Sequence, residues 1–306
     1  MEHIITVKPT NNDTIVKFES NQFLVDHQTF EFANVDEAKP SKLAQELFYL
    51  PFVKKVYIAQ NFVAVMRYDI VQWEDVQDEV ASKVQTYLNS GQPIITQESV
   101  ATTKTLPISV YVESTPNPRV RKFVTNKKLV LQPTEFLQAS DAQEDSVPRS
   151  LFQFPLVDSV FVDDNYISIS IQNGDHWEEI SMELREFVRE QLQQGHKIGD
   201  STAQVPLQLD SVDEHNESPF IDLSKLDGIS QQIVAILDEY IRPAVQGDGG
   251  NIQFAGYKED SGEVRVVLQG ACSGCPSSTA TLKNGIETML KDMLPGKIQE
   301  VVAING

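Results

Sequence analysis

Residues 268–278 of this chain read LQGACSGCPSS. They contain the two cysteines of the whole sequence, Cys272 and Cys275, in a C-x-x-C spacing. Two intervening residues let both sulfur atoms converge on one side of a tight turn, within reach of one metal ion or of two irons of one cluster. Pro276 suits the first position of a helix. We therefore expect the pair at a helix N-terminus, where free N–H groups and the helix dipole favour the thiolate and lower the thiol pKa.

The cysteine count limits what one chain can bind. Two thiolates are half of a four-thiolate set, and none of the five histidines lies in the last eighty residues. A four-iron cluster held by thiolates alone therefore favours two chains that meet at this loop, each contributing Cys272 and Cys275. From the residues alone, a pair of incidental buried cysteines, a thiol–disulfide redox pair and half of a zinc site also stay open.

The residues on either side of the pair predict a small α/β domain over residues 223–306. A helix is expected from Ser230 to about Ile241, where Pro243 should end it. The run at residues 247–250 follows a helix and precedes a strand, the reverse of a phosphate loop, so we interpret it as a tight turn. The remaining predicted elements are strands at 252–257 and 264–269, a helix at 277–293 and a strand at 297–304.

The first two thirds of the chain contain an internal repeat. Residues 1–91 and 105–197 read as two copies of one unit, and the two tryptophans, Trp73 and Trp177, fall at equivalent positions. Each copy predicts four strands followed by an amphipathic helix, and the tryptophan before that helix is expected to be a core or a staple residue.

An acidic segment, residues 199–222, follows the second copy. It carries six acidic side chains and no Lys or Arg. This composition predicts a solvated tether that leaves the last domain free to meet partners. The expected fold is a multidomain α+β or α/β chain, with two tandem small α/β repeats and a C-terminal α/β domain that carries the C-x-x-C loop.

The charge of the chain excludes several classes of protein. Lys and Arg number 25 against 44 Asp and Glu, a net charge of −19. Clustered cations are needed to bind phosphate backbones, so we expect no nucleic acid and no anionic membrane as partner. No apolar run approaches the roughly 18 residues of a spanning helix, and the start does not resemble a signal or transit peptide. The expected compartment is the cytosol, where a structural disulfide is disfavoured.

A basic run interrupts this acidic composition in the second repeat. It comprises Arg119, Arg121, Lys122, Lys127 and Lys128. We interpret it either as a solvated strand face or as a dock for an acidic client or for the acidic segment.

Three motifs of the last domain resemble the NifU C-terminal (Nfu) domain. They are RPAVQGDGG at residues 242–250, the stretch at 268–278 and TLKNGIE at 281–287. The resemblance runs in order over residues 226–304. Asn251 stands where many relatives carry an acidic residue, and we expect little consequence.

The resemblance implies a function. It identifies Cys272 and Cys275 as ligands of a 4Fe–4S cluster that bridges two subunits and is delivered to apo-proteins; a 2Fe–2S cluster is the second form considered. The expected protein is a non-enzymatic scaffold or carrier, a homodimer when loaded, with an upstream cluster donor and apo iron–sulfur clients as partners. A thiol–disulfide redox protein and a zinc-binding adaptor are the alternatives.

The second repeat has its own resemblance. STPNP at residues 114–118, followed by Lys122 and Phe123, is similar to the N-terminal domain of Nfu scaffold proteins. The equivalent residues 9–13 of the first repeat read PTNND and lack both prolines of the Pro-Asn-Pro turn. We therefore expect the first repeat to be a degenerate copy of the same fold.

Overall fold

The computed structural model divides into two compact units, residues 1–107 and 108–306. None of the helices formed by the described residues is both long enough and apolar enough to cross a membrane. The residues that the structure describes are 2–25, 28–96, 107–172, 176–199, 228–273 and 276–305.

The first unit is an α+β domain with an antiparallel sheet and two helices. Its elements are β1 (Ile5–Pro9), β2 (Ile15–Ser20), β3 (Thr29–Phe32), α1 (Lys42–Phe48), β4 (Val53–Ala59), β5 (Phe62–Arg67) and α2 (Trp73–Asn89). The five strands lie in the order β1-β2-β5-β4-β3. Trp73 is buried at the start of α2, and the rings of Phe18 and Phe52 pack edge-on against it. Its predicted place in the core is confirmed.

The second unit begins with the same arrangement. Its first elements are β6 (Val110–Ser114), β7 (Val120–Thr125), β8 (Thr134–Phe136), α3 (Val147–Leu151), β9 (Val157–Asp163), β10 (Tyr166–Ile171) and α4 (Trp177–Gln193). The strands again lie in the order first, second, fifth, fourth, third, as β6-β7-β10-β9-β8. Trp177 is buried at the start of α4 and packs against Phe123. The shared topology confirms the duplication.

Each repeat contains elements that the sequence does not predict. The edge strands β3 and β8 have four and three residues, and the helices α1 and α3 have seven and five. Such short segments give too few residues to establish a period of 2 or of 3.6. The sheet therefore has five strands in each repeat, one more than expected.

The C-terminal domain packs its helices against a mixed three-stranded sheet. Its elements are α5 (Gly228–Ile236), a π-helical turn (Leu237–Ile241), α6 (Arg242–Gly247), β11 (Gly250–Lys258), β12 (Glu263–Gly270), α7 (Pro276–Met293) and β13 (Glu300–Asn305). The order is β11-β12-β13, with β12 and β13 parallel and joined by the α7 crossover. Ile252, Leu268 and Ile286 are fully buried between sheet and helices.

The prediction that Pro243 ends the first helix of this domain is wrong. The chain continues as α6 to Gly247 after one π-helical turn. Proline removes one helical N–H and crowds the carbonyl four residues earlier. A π turn accommodates this change because its hydrogen bonds span one more residue.

The sequence predicts a last domain that is free to meet partners, but in the structure this domain contacts the second repeat. Side chains of β7, β9 and β10 hydrogen-bond to residues 246–250, which join the end of α6 to the start of β11. Nearly all of the acidic segment lies outside the described residues, so its tether role stays a prediction. Within the second unit, however, the C-terminal domain rests on the sheet of the second repeat.

Candidate metal-binding site

The cysteine loop lies between the end of β12 and the start of α7. The amide of Ala271 donates to the carbonyl oxygen of Gly249 at 3.2 Å, and the amide of Ser273 donates to that of Gly270 at 3.1 Å. The first bond joins the loop to the turn that precedes β11, and the second closes the loop on itself. The helix begins at Pro276, as predicted. Cys272 is thus placed close to the N-terminus of α7, while Cys275 lies outside the described residues.

The glycine turn leaves room for the sulfur of Cys272. A Cβ atom built on Gly250 would lie 2.6 Å from Sγ of Cys272 and 2.8 Å from the carbonyl oxygen of Gln269. Gly249 has a φ of +82°, a left-handed backbone that favours glycine. The Gly247–Gly250 run therefore contains a tight turn at Asp248 and Gly249, as the sequence indicates, and its last glycine clears the space that the sulfur occupies.

The expected direction of the thiol pKa is wrong for Cys272 in this state. The residue is 8% exposed. Burial, with a smaller contribution from the nearby charge of Asp248, raises the pKa of Cys272 to about 12. Loss of solvation disfavours the thiolate more than the helix N-terminus favours it. A metal ligated here would displace the thiol proton. Within the described ranges, His, Cys, Asp and Glu form no group of three that could hold a metal ion.

Two residues of the second repeat bind the cysteine loop directly. The side-chain amide of Asn117 donates to the carbonyl oxygens of Ala271 and Ser273, at 3.1 and 3.3 Å. These carbonyls belong to the residues on either side of Cys272. Oε1 of Glu135 accepts the amide of Gly270 at 2.9 Å. The chain thus holds its cysteine loop with side chains that lie 135 to 156 residues earlier.

Sequence reasoning assigned no role to either residue. Asn117 is the central residue of the Pro-Asn-Pro turn, which was the available signal, but nothing in the sequence pairs it with the cysteine loop. Glu135 lies on the short strand β8, which the sequence does not predict.

The residues of the basic run lie in different surroundings in the structure. Arg119 pairs with Asp158, and Lys128 with Asp164, and both cations are half-buried. Lys122 is 9% exposed, which contradicts a solvated face at that residue. Its ammonium group donates to the carbonyl oxygens of Gln246 and Gly247. It therefore binds the end of α6.

A buried polar chain links the first helices of the domain to the strand that precedes the cysteines. Nη1 of Arg242 donates to Oδ1 of Asn251 at 2.8 Å, and Nδ2 of Asn251 donates to Oε1 of Gln269 at 3.0 Å. Asn251 is fully buried. Arg242 also pairs with Asp238 at 2.6 Å. These bonds connect α6 to β11 and β12 beside the cysteine loop.

Two family matches account for most of the chain. The family described as "NifU-like domain" matches residues 233–302. The family described as "Scaffold protein Nfu/NifU N terminal" matches residues 5–91 and 110–195. The second match occurs once in each repeat.

Curated relatives share about a third of the aligned residues. A NifU-like protein of Schizosaccharomyces pombe is 33% identical over 200 residues, which cover 63% of this chain and 71% of that protein. A mitochondrial NifU-like protein of Saccharomyces cerevisiae is 29% identical over 213 residues, covering 64% and 80%. The mitochondrial "NFU1 iron-sulfur cluster scaffold homolog" of Drosophila ananassae is 31% identical over 191 residues, covering 61% of each chain. The last match spans less than two thirds of that relative.

Proposed function

This chain belongs to the NifU-like/Nfu scaffold family, and on that premise we propose that it carries an iron–sulfur cluster and transfers it to apo-proteins. Cys272 and Cys275 supply the ligands. The cluster is cargo, so the protein acts as a carrier and performs no catalysis.

The placement of Cys272 is the observation that supports this proposal best. Cys272 precedes the start of α7 by four residues, and its sulfur lies against Gly250, which has no side chain to obstruct it. A C-x-x-C spacing brings the second sulfur of the pair to the same loop. Thiolates are the ligands that iron–sulfur clusters use most.

We propose that two chains share one 4Fe–4S cluster. Each chain has two cysteines, and a cluster with four thiolate ligands then requires both pairs. Ligation at an interface also suits a carrier, because thiolates of a client can replace those of the carrier one at a time. A 2Fe–2S cluster would fit the same ligand set.

Anaerobic reconstitution with ferrous iron and sulfide tests the proposal. We expect a brown species with about four irons for every two chains, and a mass in solution that doubles on loading. Incubation with an apo client should transfer the cluster and restore the client's activity. The matched variants Cys272→Ala and Cys275→Ala should lose the cluster while Trp73 and Trp177 keep their native fluorescence.

Other results would identify a different function. One zinc ion bound tightly by a single chain would indicate an adaptor. Reduction of a disulfide substrate by the metal-free protein would indicate a redox protein. Either result, together with failure to assemble a cluster, contradicts the carrier function.

For the compartment, we propose the cytosol, where reducing conditions keep Cys272 a free thiol; several relatives carry mitochondrial names. Cell fractionation with an antibody against the native chain is the direct measurement.

A further inference from the structure

One face of the sheet in the second repeat carries polar residues that are buried against the C-terminal domain. We call this face, together with Asn117 from the turn between β6 and β7, the capping face; it comprises Asn117, Lys122, Glu135, Asp163, Tyr166 and Ser168. We propose that the capping face is an intramolecular binding site for the cysteine loop, and that it must separate from the loop before two chains can share a cluster. This inference rests on the proposed carrier function.

Along the strands of the second repeat, successive side chains point to opposite faces of the sheet, and each face packs against a different part of the protein. Phe123, Val160 and Ile167 point to one side of the sheet and belong to the repeat's own core. Lys122, Phe161 and Tyr166 point to the other. In a sheet with one core face, the second face is normally exposed to water. Here it is covered by the C-terminal domain instead.

The capping face recognises the glycine turn through main-chain carbonyl groups. The hydroxyl of Tyr166 donates to the carbonyl oxygen of Gly250 at 2.9 Å, and that of Ser168 donates to Gly249 at 2.5 Å. In the other direction, the side-chain amide of Gln246 donates to Oδ2 of Asp163 at 2.8 Å. With the contacts of Asn117, Glu135 and Lys122, the face binds the turn, the loop and the end of α6 together.

The fit is close as well as polar. A Cβ atom built on Gly270 would lie 2.6 Å from Cδ1 of Phe161, so the ring touches the main chain directly. Gly249, Gly250, Ala271 and Cys272 are all buried. A second chain cannot bring its own cysteines to Cys272 while this face occupies the position, because the same surface cannot contact two partners at once.

The first repeat shows that the fold does not require these polar groups. At the positions of Asp163, Tyr166 and Ser168 it has Ala59, Phe62 and Ala64, and the paired residues across the sheet identify each equivalence. Three of the side chains that bind the C-terminal domain therefore lack their polar atoms in the first repeat. The fold of the repeat therefore does not require these three polar groups.

The chemistry of the contact allows it to open. It consists mainly of hydrogen bonds between side chains and main-chain carbonyls, and each contributes only modestly to stability because water competes for the same groups. Contacts of this polar kind between domains of one chain resemble transient interfaces. The acidic segment that joins the two parts would keep the separated domain nearby, so the contact can form again.

The test replaces the capping face with the residues of the first repeat. The triple variant Asp163→Ala, Tyr166→Phe and Ser168→Ala should fold, because the first repeat has these residues at the same positions of the same sheet. The matched control makes the reverse changes, Ala59→Asp, Phe62→Tyr and Ala64→Ser, in the first repeat.

Two measurements on the full chain report the result. Hydrogen exchange in the apo-protein follows the amides of residues 249–273, and should quicken on the order of tenfold in the triple variant alone. Light scattering during reconstitution follows the two-chain species. Its rate of formation should also rise on the order of tenfold in the triple variant, because the capping face no longer occupies the cysteine loop. The control should match the native chain in both.

The outcomes separate the two proposals. Unchanged exchange in the triple variant would show that the face does not hold the domain. Faster exchange with an unchanged rate of two-chain formation would show that the contact does not act as a cap. If no chain takes up iron and sulfide, the carrier function is wrong and the cap has no cluster to control, whatever the exchange rates.

Discussion

The side-chain amide of Asn117 donates a hydrogen bond to the carbonyl oxygen of Ala271, the residue directly before Cys272, at 3.1 Å. A second bond from the same nitrogen reaches the residue directly after the cysteine. The asparagine of the Pro-Asn-Pro turn thus brackets a candidate ligand in another domain. Its own turn stays closed, because Oδ1 accepts the amide of Arg119.

Removing this side chain should weaken the contact between the two parts of the second unit. Asn117 is buried, so Asn117→Ala leaves two carbonyl groups without their donor. We expect a loss of about 1–3 kcal/mol in the free energy of unfolding of the second unit. Urea titration followed by the fluorescence of Trp177 measures it.

The first repeat supplies the matched control. Asn12 is the equivalent residue, but it is exposed, and among the described residues its side chain accepts hydrogen bonds from Thr14 within its own turn. Asn12→Ala should cost less than about 1 kcal/mol. Equal losses in the two variants would mean that Asn117 acts only on its own turn.

Glu135 should make the contact depend on pH. Burial raises the pKa of Glu135 to about 7, although the Gly270 amide acts in the opposite direction. Oε2 is buried and has no hydrogen-bond partner among the described residues. The pKa in the folded state lies above the ordinary 4.5. Between pH 4.5 and about 7, the folded state therefore holds a proton that the unfolded chain has lost. The stability that this proton contributes is complete below pH 4.5 and is lost as the pH rises through about 7.

The measurement compares unfolding free energies between pH 5 and pH 8. We expect the native chain to lose about 1–3 kcal/mol more than the variant Glu135→Gln across this range. The glutamine keeps an oxygen that can accept the Gly270 amide but does not titrate. Glu31 is the exposed equivalent in the first repeat, and Glu31→Gln should keep the pH dependence of the native chain. If the unfolding free energies of the native chain and of both variants changed with pH in parallel, Glu135 would not titrate in this way.

The sequence predicts those parts of the fold that depend on patterns among residues close to each other in the chain. The repeat, the amphipathic helices α2 and α4 and the position of the cysteine pair before α7 all follow from residues near each other in the chain. The expectation that both tryptophans are core or staple residues rests on the same local signals. The short strands β3 and β8 carry too few residues to show a period.

The capping contact could not be predicted because its two sides are distant in sequence. Lys122 and Gln246 are separated by 124 residues. In a sequence, Lys122 belongs to a basic run on an acidic chain, which suggests a solvated surface. Burial of its ammonium group depends on where the C-terminal domain rests, and that information appears only in three dimensions. The pKa of Cys272 was predicted in the wrong direction for the same reason.

Substitutions at Asn251 test whether an asparagine in place of the acidic residue of many relatives affects stability. In Asn251→Asp, the carboxylate keeps its bond to Arg242 and gains opposite charge, but it loses the amide that donates to Gln269. Gln269 can turn its own amide toward the carboxylate, so we expect a change in stability below about 1 kcal/mol. In Asn251→Ala, both neighbours lose a partner, and the cost should be about 1–3 kcal/mol. Urea unfolding distinguishes the two, and a large loss in Asn251→Asp would contradict the expectation that the departure has little consequence.

Gly250 gives the most direct test of the space around the candidate ligand. In Gly250→Ala, the new methyl group would lie 2.6 Å from Sγ of Cys272 and 2.8 Å from the carbonyl oxygen of Gln269. The sulfur can turn away, but the main-chain oxygen cannot move without breaking the pairing of β11 with β12. We therefore expect a loss of about 1–3 kcal/mol in stability. Cluster occupancy after reconstitution should fall as well, because the sulfur is displaced.

Gly285 is the matched control for this substitution. It lies exposed within α7, and a Cβ atom built on it meets nothing within 4 Å. Because alanine favours a helix interior more than glycine does, Gly285→Ala should stabilise the domain by about 0.5–1 kcal/mol and leave cluster loading unchanged. Thermal unfolding gives the first quantity and the iron content per chain gives the second. Full loading of Gly250→Ala would show that the cluster does not need the sulfur of Cys272 where this turn holds it.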